Sequence, residues 1–288
     1  MAMLSTEINS AAKKVGFERA IELVAKAGFT AWDFSMFNLF RFDRAGGTLI
    51  QGDTPLNGPE YTKYAERLKR IGLDNGIVCN QSHAPFPTGV FGAEKYVLRA
   101  IECTAIAGGK ICVVHPDNDK SADQNAEFFM RLLPFAKECG VKIATENMWN
   151  WDNDKGRACA AACSNHQDFL SHILAVNDEY FVACLDIGHA EMEGLKTGAV
   201  KMIETLCRHL QALHIHDNDL IHDSHALPYT MKINFDNIAK ALKKIGYAGD
   251  FTMEADTYLN GYLAEDVPLG LEKMQLACQK FYQTFLDV

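Results

Sequence analysis

The sequence predicts one α/β domain, spanning residues 1–288, that folds as a single (β/α)8 TIM barrel. Three observations support this fold class. Short apolar, strand-like runs alternate with longer amphipathic segments from one end of the chain to the other. No change in composition divides the chain, and its length is close to the roughly 250 residues of a typical barrel. No glycine-rich phosphate-binding fingerprint follows an early strand, as a doubly wound nucleotide-binding sheet would require.

Eight segments have the length and composition of buried parallel strands. They are residues 4–9, 31–36, 76–82, 110–115, 141–146, 181–186, 212–216 and 250–254. The carboxyl ends of parallel barrel strands meet at one mouth, so residues that are distant in sequence are expected to come together there.

The segments between these strands have helical patterns. Residues 17–28 and 235–246 are amphipathic, and a glycine ends each of them. Residues 38–59 and 149–165 are longer than ordinary connections, and we expect them to lie over the mouth of the barrel. The second loop contains Trp149, which is expected either to line a sugar pocket or to tether a surface excursion.

Composition and charge narrow the classes of function. The net charge of −9 disfavours nucleic acid as a partner, because phosphate binding needs clustered Lys and Arg. Nine scattered cysteines without a CxxC pair, and no signal peptide or 20-residue apolar run, predict a cytoplasmic protein without a membrane span. The apolar segment 269–285 either closes the barrel or supplies a face for a homo-oligomer.

Strand after strand ends in a residue type that binds metals. These residues are His83, His115, Glu146, Asp186, His216 and Glu254. The alternation of side chains along a strand turns Glu146, Asp186 and Glu254 into the barrel. Three carboxylates at one mouth would repel one another without a cation, so the pattern predicts a bound divalent ion: Mn²⁺, Mg²⁺, Co²⁺ or Zn²⁺.

Several motifs make the chain similar to a known family. They are ATEN at 144–147, LDIGHA at 185–190, HIHDND at 214–219, DSH at 223–225 and GYAGDFTMEAD at 246–256. Together they resemble the xylose isomerase-like barrels, which include sugar-phosphate isomerases, ketose 3-epimerases and endonuclease IV.

The resemblance implies a metal-dependent isomerase or epimerase of sugars or sugar phosphates. It implies that Glu146, Asp186, His216 and Glu254 hold the metal. Glu146 and Glu254 would also transfer protons through an enediolate, and His189 would contact a substrate oxygen, with Trp149 beside the sugar. His214, one layer below His216, is expected to pack in the barrel or to support a metal ligand.

Two departures leave alternatives open. Ketose 3-epimerases usually carry an Arg after the seventh strand, whereas here the stretch 217–225 reads DNDLIHDSH. A further set of five residues, suited to extra metal ions or to substrate, completes the nine-ligand pattern of the three-zinc endonuclease IV: His83, His115, His189, Asp223 and His225. An abasic-site endonuclease and a metal-assisted keto-sugar dehydratase or lyase therefore stand beside the sugar isomerase.

Overall fold

The computed structural model describes residues 2–288 and contains the eight expected parallel strands. They are β1 (Leu4–Thr6), β2 (Ala31–Ser35), β3 (Val78–His83), β4 (Ile111–Val113), β5 (Lys142–Glu146), β6 (Phe181–Asp186), β7 (Leu210–His214) and β8 (Phe251–Met253). Each overlaps its predicted segment, and most are shorter because the chain turns into the mouth loops soon after the last ladder hydrogen bond.

Parallel pairing closes these strands into a barrel. Strands β2 to β7 form one six-stranded sheet in chain order, and β1 pairs with β8. Isolated bridges join the two sheets, from Glu7 to Asp33 at one seam and from Ile215 to Met253 at the other. The predicted (β/α)8 fold is confirmed.

Ten α-helices accompany the strands in the described part of the chain. They are α1 (Asn9–Val15), α2 (Phe17–Lys26), α3 (Tyr61–Asp74), α4 (Glu94–Ala107), α5 (Ala122–Cys139), α6 (His166–Val176), α7 (Ile187–Glu191), α8 (Ala199–Leu206), α9 (Phe235–Lys244) and α10 (Val267–Asp287). Helices α2 and α9 begin where the amphipathic pattern predicts. No helix within residues 2–288 is both long and apolar enough to cross a bilayer.

The two long loops each contain a β-hairpin. The first pairs Phe40–Asp43 with Thr48–Gln51, and the second pairs Asn150–Asp152 with Arg157–Cys159. Strands of three or four residues lack a full period-two pattern, so the sequence predicted the loops but not the hairpins.

The lumen of the barrel is filled unequally. The side chains from β4 to β7 form an apolar cluster of Val113, Ala144, Val182, Cys184 and Ala212. On the opposite side, Asn80 of β3 reaches across the lumen to donate to Thr252 of β8 at 3.3 Å, and Ser5 of β1 donates to Thr252 at 2.7 Å. Half of the floor beneath the mouth is therefore apolar and half is hydrogen-bonded.

Two buried carboxyls belong to the polar half. The Ser35 hydroxyl lies 3.3 Å from Oε2 of Glu7 and 3.2 Å from Oδ1 of Asp33, and Gln81 donates to Asp33 at 3.0 Å. Burial, together with the charge of Asp256, raises the pKa of Glu7 to about 7. Burial also raises the pKa of Asp33. Glu7 and Asp33 therefore hold their protons more tightly than exposed carboxyl groups do.

Candidate metal centre

Histidines and carboxylates gather at the carboxyl end of the barrel in four overlapping groups, and within each group the ligand atoms lie within 4.8 Å of one another. One group, His83, His214 and Glu254, is made up of members of the core cluster and the side cluster. The core cluster consists of Glu146, Asp186, His214 and Glu254. The side cluster consists of His83, His115 and Glu146. The outer cluster consists of His189, His216, Asp223 and His225.

In the core cluster, one imidazole nitrogen faces two carboxylates. Nδ1 of His214 lies 2.9 Å from Oε1 of Glu146 and 3.1 Å from Oε2 of Glu254. All four residues of the cluster are buried, and Oδ2 of Asp186 has no hydrogen-bond partner among the described residues. A buried carboxylate oxygen without a donor is costly, and it fits a cation-binding site.

Electrostatics keeps the two glutamates charged. Burial opposes ionisation of Glu254, but the charge and hydrogen bond of His214 outweigh burial and lower its pKa to about 2. Burial opposes ionisation of Glu146 as well, and His214, His115 and His83 together hold its pKa well below the ordinary value. Both carboxylates are thus available as anionic donors.

His216 is not in the same group as Glu146 and Glu254, but its Nε2 lies 3.0 Å from Oδ1 of Asp186, so its role as a ligand of the same ion stays a prediction. Strand β7 ends at His214, so His214 is level with Glu146 and Glu254, whereas His216 lies two residues further toward the mouth. His214, which was expected to pack in the barrel or to support a metal ligand, lies within 3.1 Å of both glutamates. Sequence parity could not separate the two, because both point into the barrel.

In the side cluster, two histidines face the second oxygen of Glu146. Nε2 of His83 lies 3.2 Å and Nε2 of His115 lies 3.0 Å from Oε2 of Glu146. Nδ1 of His83 lies 2.9 Å from the main-chain carbonyl oxygen of Ala84, which can only accept, so this nitrogen carries the proton. In neutral His83, Nε2 then presents a lone pair to the carboxylate oxygen of Glu146. Two lone pairs repel each other, so this contact requires either a cation between them or a second proton on His83.

The outer cluster repeats this arrangement. Nδ1 of His189 donates to the carbonyl of Asn147 at 2.9 Å, and Nδ1 of His225 donates to the carbonyl of Glu254 at 2.6 Å. The Nε2 atoms of both histidines lie 3.2 Å from the same oxygen, Oδ2 of Asp223. Backbone carbonyls thus orient two imidazoles toward one point, as is usual for metal-binding histidines.

His216 completes the outer cluster from below. Its ring stacks on that of His225 with centroids 3.9 Å apart, and its Nε2 lies 3.0 Å from Oδ1 of Asp186 and 3.6 Å from Oδ1 of Asp223. A Cβ at Gly188 would lie 1.9 Å from Cε1 of His216, so only glycine leaves room for this ring.

Aromatic side chains flank the mouth on two sides. Phe86 stacks on His115 with centroids 4.5 Å apart, and Phe37 meets His83 edge-on at 4.6 Å. Across the mouth, the half-buried Trp149 has its ring 6.3 Å from that of His189. Trp149 was predicted from the sequence as a residue of the mouth, whereas the two phenylalanines were not, although Phe86 follows His83 by only three residues.

The donor types suit divalent cations. The oxygen-rich core cluster suits Mn²⁺, Mg²⁺, Co²⁺ or Zn²⁺, whereas the imidazole-rich outer cluster favours Zn²⁺ or another transition metal. Fold and site together define a (β/α)8 barrel with candidate metal donors at its carboxyl-terminal mouth. The chain belongs to the family of xylose isomerase-like TIM barrels, whose model matches residues 21–273.

Similar proteins agree with this assignment. An uncharacterized protein of Methanocaldococcus jannaschii is 25% identical over 255 residues, which cover 82% of this chain and 78% of that protein. A solved D-tagatose 3-epimerase-like protein superposes with a TM-score of 0.70 at 19% identity, covering 98% of each chain. The IolI protein, solved with a bound zinc atom, gives a TM-score of 0.70 at 16% identity over 97% of this chain and 99% of that chain. At these identities the solved structures establish a shared fold.

Proposed function

We propose that the protein is a metal-dependent isomerase or epimerase of a sugar or sugar phosphate. In this proposal Glu146, Asp186, His216 and Glu254 hold one divalent ion, with His214 beside the two glutamates. Glu146 and Glu254 transfer protons at a carbon next to a carbonyl group. The observation that carries it is the convergence of these two buried carboxylates, from the non-adjacent strands β5 and β8, on Nδ1 of His214. The sugar epimerase-like neighbour of the same fold supports a carbohydrate substrate.

The chemistry follows from the donor arrangement. A divalent ion bound here would polarise the sugar carbonyl and stabilise the enediolate. One glutamate removes the proton from one face of the substrate, and the other returns a proton, from the same or the opposite face. His83 and His115 hold the second oxygen of Glu146 and so fix the direction in which its carboxylate points.

Two further residues, Trp149 and His189, are proposed to contact the substrate. Trp149 would offer a flat apolar face to a sugar ring at the mouth. His189 lies beside it, and both of its nitrogens already face partners, Asn147 and Asp223. Its contact with a substrate oxygen therefore stays a prediction.

The test is exchange of substrate hydrogen with solvent. We would incubate the protein, reloaded with Mn²⁺, Co²⁺, Mg²⁺ or Zn²⁺, with a panel of ketoses, 3-keto-glycosides and ketose phosphates in D2O and follow deuterium incorporation by NMR. Replacing Glu254→Gln should slow exchange by roughly 100-fold or more, as expected for loss of a general acid–base group. The exposed Glu193→Gln is the matched control. Equal exchange by the wild-type protein and Glu254→Gln would refute the proposed role.

Two alternatives use the same mouth. The three clusters supply donors for up to three zinc ions, which favours phosphodiester hydrolysis at abasic DNA as the second candidate. The charge of −9 weighs against it, and cleavage of an abasic-site duplex tests it. A keto-sugar dehydratase or lyase would begin with the same proton abstraction, and loss of water or a fragment, seen by mass spectrometry, would identify it.

A further inference from the structure

We propose that the amino end of the barrel, opposite the mouth, binds a small phosphorylated polyol. A cavity lies there, where the chain enters β1, β3, β4, β7 and β8. None of the residues that line this cavity belongs to the core, side or outer cluster. The inference is therefore independent of the proposed sugar reaction.

The cavity has the size of a metabolite site. Its volume of about 360 Å³ is near the lower end of the range for small-molecule pockets, roughly 300–1,000 Å³. Val78 and Ile111 give the cavity an apolar side, and Val78 is 40% exposed although it belongs to a barrel strand. A short carbon skeleton packed against these two residues would remove their apolar surface from water.

The polar side of the cavity contains a buried amide oxygen that lacks a donor. Nδ2 of Asn80, which lines the cavity, donates to Oδ2 of Asp250 at 3.2 Å and to Oγ1 of Thr252 at 3.3 Å. A carboxylate only accepts, so the nitrogen must face Asp250 and the amide cannot be flipped. Oδ1 of Asn80 has no hydrogen-bond partner among residues 2–288, and Asn80 is only 7% exposed. A hydroxyl group of a ligand would supply the missing donor.

Three lysines lie at the cavity. Lys110 lines it, and Nζ of Lys142 donates at 2.8 Å to Oε1 of Gln211, another lining residue. Nζ of Lys69 lies 3.9 Å from the position that a Cβ would take on Gly108, which also lines the cavity. None of the three lysines forms an ion pair with a carboxylate in the range 2–288. In a chain with a net charge of −9, this cluster of cations favours an anionic ligand.

The carboxylate of Asp250 does not cancel these charges. Its Oδ1 accepts from the main-chain N–H of Met3 at 2.8 Å, and its Oδ2 accepts from Asn80. The turn before β8 adds two donors that line the cavity, because the main-chain N–H groups of Ala248 and Gly249 have no hydrogen-bond partner within the described part of the chain. Three cations and two free N–H groups therefore outweigh one carboxylate that already has its own donors.

The type of cation favours phosphate over carboxylate. Arginine binds planar carboxylates through two parallel hydrogen bonds, whereas lysine acts as a point charge and often binds phosphate. The cations at this cavity are lysines. A phosphoryl group beside the lysines and a hydroxyl group beside Asn80 together define a phosphorylated polyol, and the volume limits it to a short chain or a single ring.

Isothermal titration calorimetry on the full chain, as purified and after chelation, provides the test. The probes are glycerol 3-phosphate, inorganic phosphate and glycerol. Glycerol 3-phosphate should bind equally before and after chelation, because no metal is needed at this end of the barrel. Inorganic phosphate, which cannot place a carbon-borne hydroxyl group beside Asn80, should bind roughly fivefold more weakly, and glycerol should show no binding.

A pair of lysine variants locates the site. Lys110→Gln should weaken binding of glycerol 3-phosphate roughly 10-fold, as expected for loss of one charge-assisted hydrogen bond. The matched control is Lys232→Gln, which removes an exposed lysine from the segment between β7 and α9, at the mouth. The control should bind glycerol 3-phosphate as tightly as the wild-type protein.

Hydrogen–deuterium exchange gives a readout that needs no variant. Glycerol 3-phosphate should slow amide exchange in residues 108–112 and 248–251 of the wild-type protein. Unchanged exchange in both stretches, or no binding at millimolar concentrations, would overturn the proposal. Binding that is lost on chelation, or that Lys110→Gln leaves intact, would place the ligand elsewhere and would also overturn it. Equal affinities for inorganic phosphate and glycerol 3-phosphate would overturn the assignment of Asn80 to a hydroxyl group.

Discussion

The side-chain amide of Asn147 pairs with both main-chain polar groups of Asp186. Its Nδ2 donates to the carbonyl of Asp186 at 2.9 Å, and its Oδ1 accepts from the N–H of Asp186 at 2.8 Å. The carbonyl of Asn147 also receives Nδ1 of His189. One buried residue thus aligns donors of the core cluster and the outer cluster. In the sequence, Asn147 is the last residue of the ATEN motif, but the strand-end pattern indicates only Glu146.

Replacing Asn147→Ala should destabilise the protein and weaken metal binding together. Two buried backbone groups of Asp186 would lose their partners, at a cost of roughly 2–4 kcal/mol in the free energy of unfolding. Urea unfolding of the metal-free protein measures this cost, and zinc titration measures the affinity. The exposed Asn260→Ala should change unfolding by less than about 0.5 kcal/mol. Similar unfolding of the two variants would argue against the role of Asn147.

His214→Ala should weaken binding of the core ion, whereas His222→Ala on the surface should not. The reason is that, among residues 2–288, only His214 places a nitrogen within 3.1 Å of both Glu146 and Glu254. Competition with a chromophoric chelator measures the affinity. If His214→Ala retains the wild-type zinc count and affinity, His214 does not support the core ion.

Gly188→Ala should displace His216 and with it one bound zinc ion. The added methyl group would overlap the imidazole, and overpacking of a buried site typically costs about 1–3 kcal/mol. The matched control is Gly261→Ala, where a Cβ would meet nothing within 4 Å. Thermal unfolding and zinc counting on both variants check this, and a Gly188→Ala protein with wild-type stability would contradict the observed packing.

Glu7 should give the metal-free protein a pH-dependent stability. Its pKa is about 7 in the folded protein because of burial and the charge of Asp256, against an ordinary value of 4.5. The folded state therefore binds this proton more tightly, and the free energy of unfolding falls as pH rises from about 4.5 to about 7, by on the order of 3 kcal/mol.

Glu7→Gln should lack this contribution and should be more stable than the wild type above pH 7. Urea unfolding of both proteins between pH 4.5 and 8 measures the difference, with Glu193→Gln as an exposed control. A constant difference in stability across that range would show that Glu7 does not hold the proton.

The fold and much of the site were predictable from the sequence because both follow from strand position. Each β-run overlaps an observed strand, and residues at strand ends such as Glu146 and Asp186 meet at the mouth as barrel geometry requires. The close approach of His214 to both Glu146 and Glu254 was not predictable, since it depends on how far β7 rises before the chain turns. The hairpins and the wall formed by Phe37 and Phe86 depend on loop contacts that leave no periodic pattern.

The lumen has an apolar half and a hydrogen-bonded half, and this difference determines which barrel strands tolerate a polar substitution. Beneath Glu254, hydroxyl and amide groups such as Thr252 and Asn80 can rotate to solvate a new polar side chain. Beneath Glu146, a polar group introduced at Ala144 or Val182 would meet only hydrocarbon and sulfur. Polar substitutions that arise in evolution or by design are therefore expected in β1, β3 and β8. The inward-facing residues of β4 to β7 are expected to stay apolar.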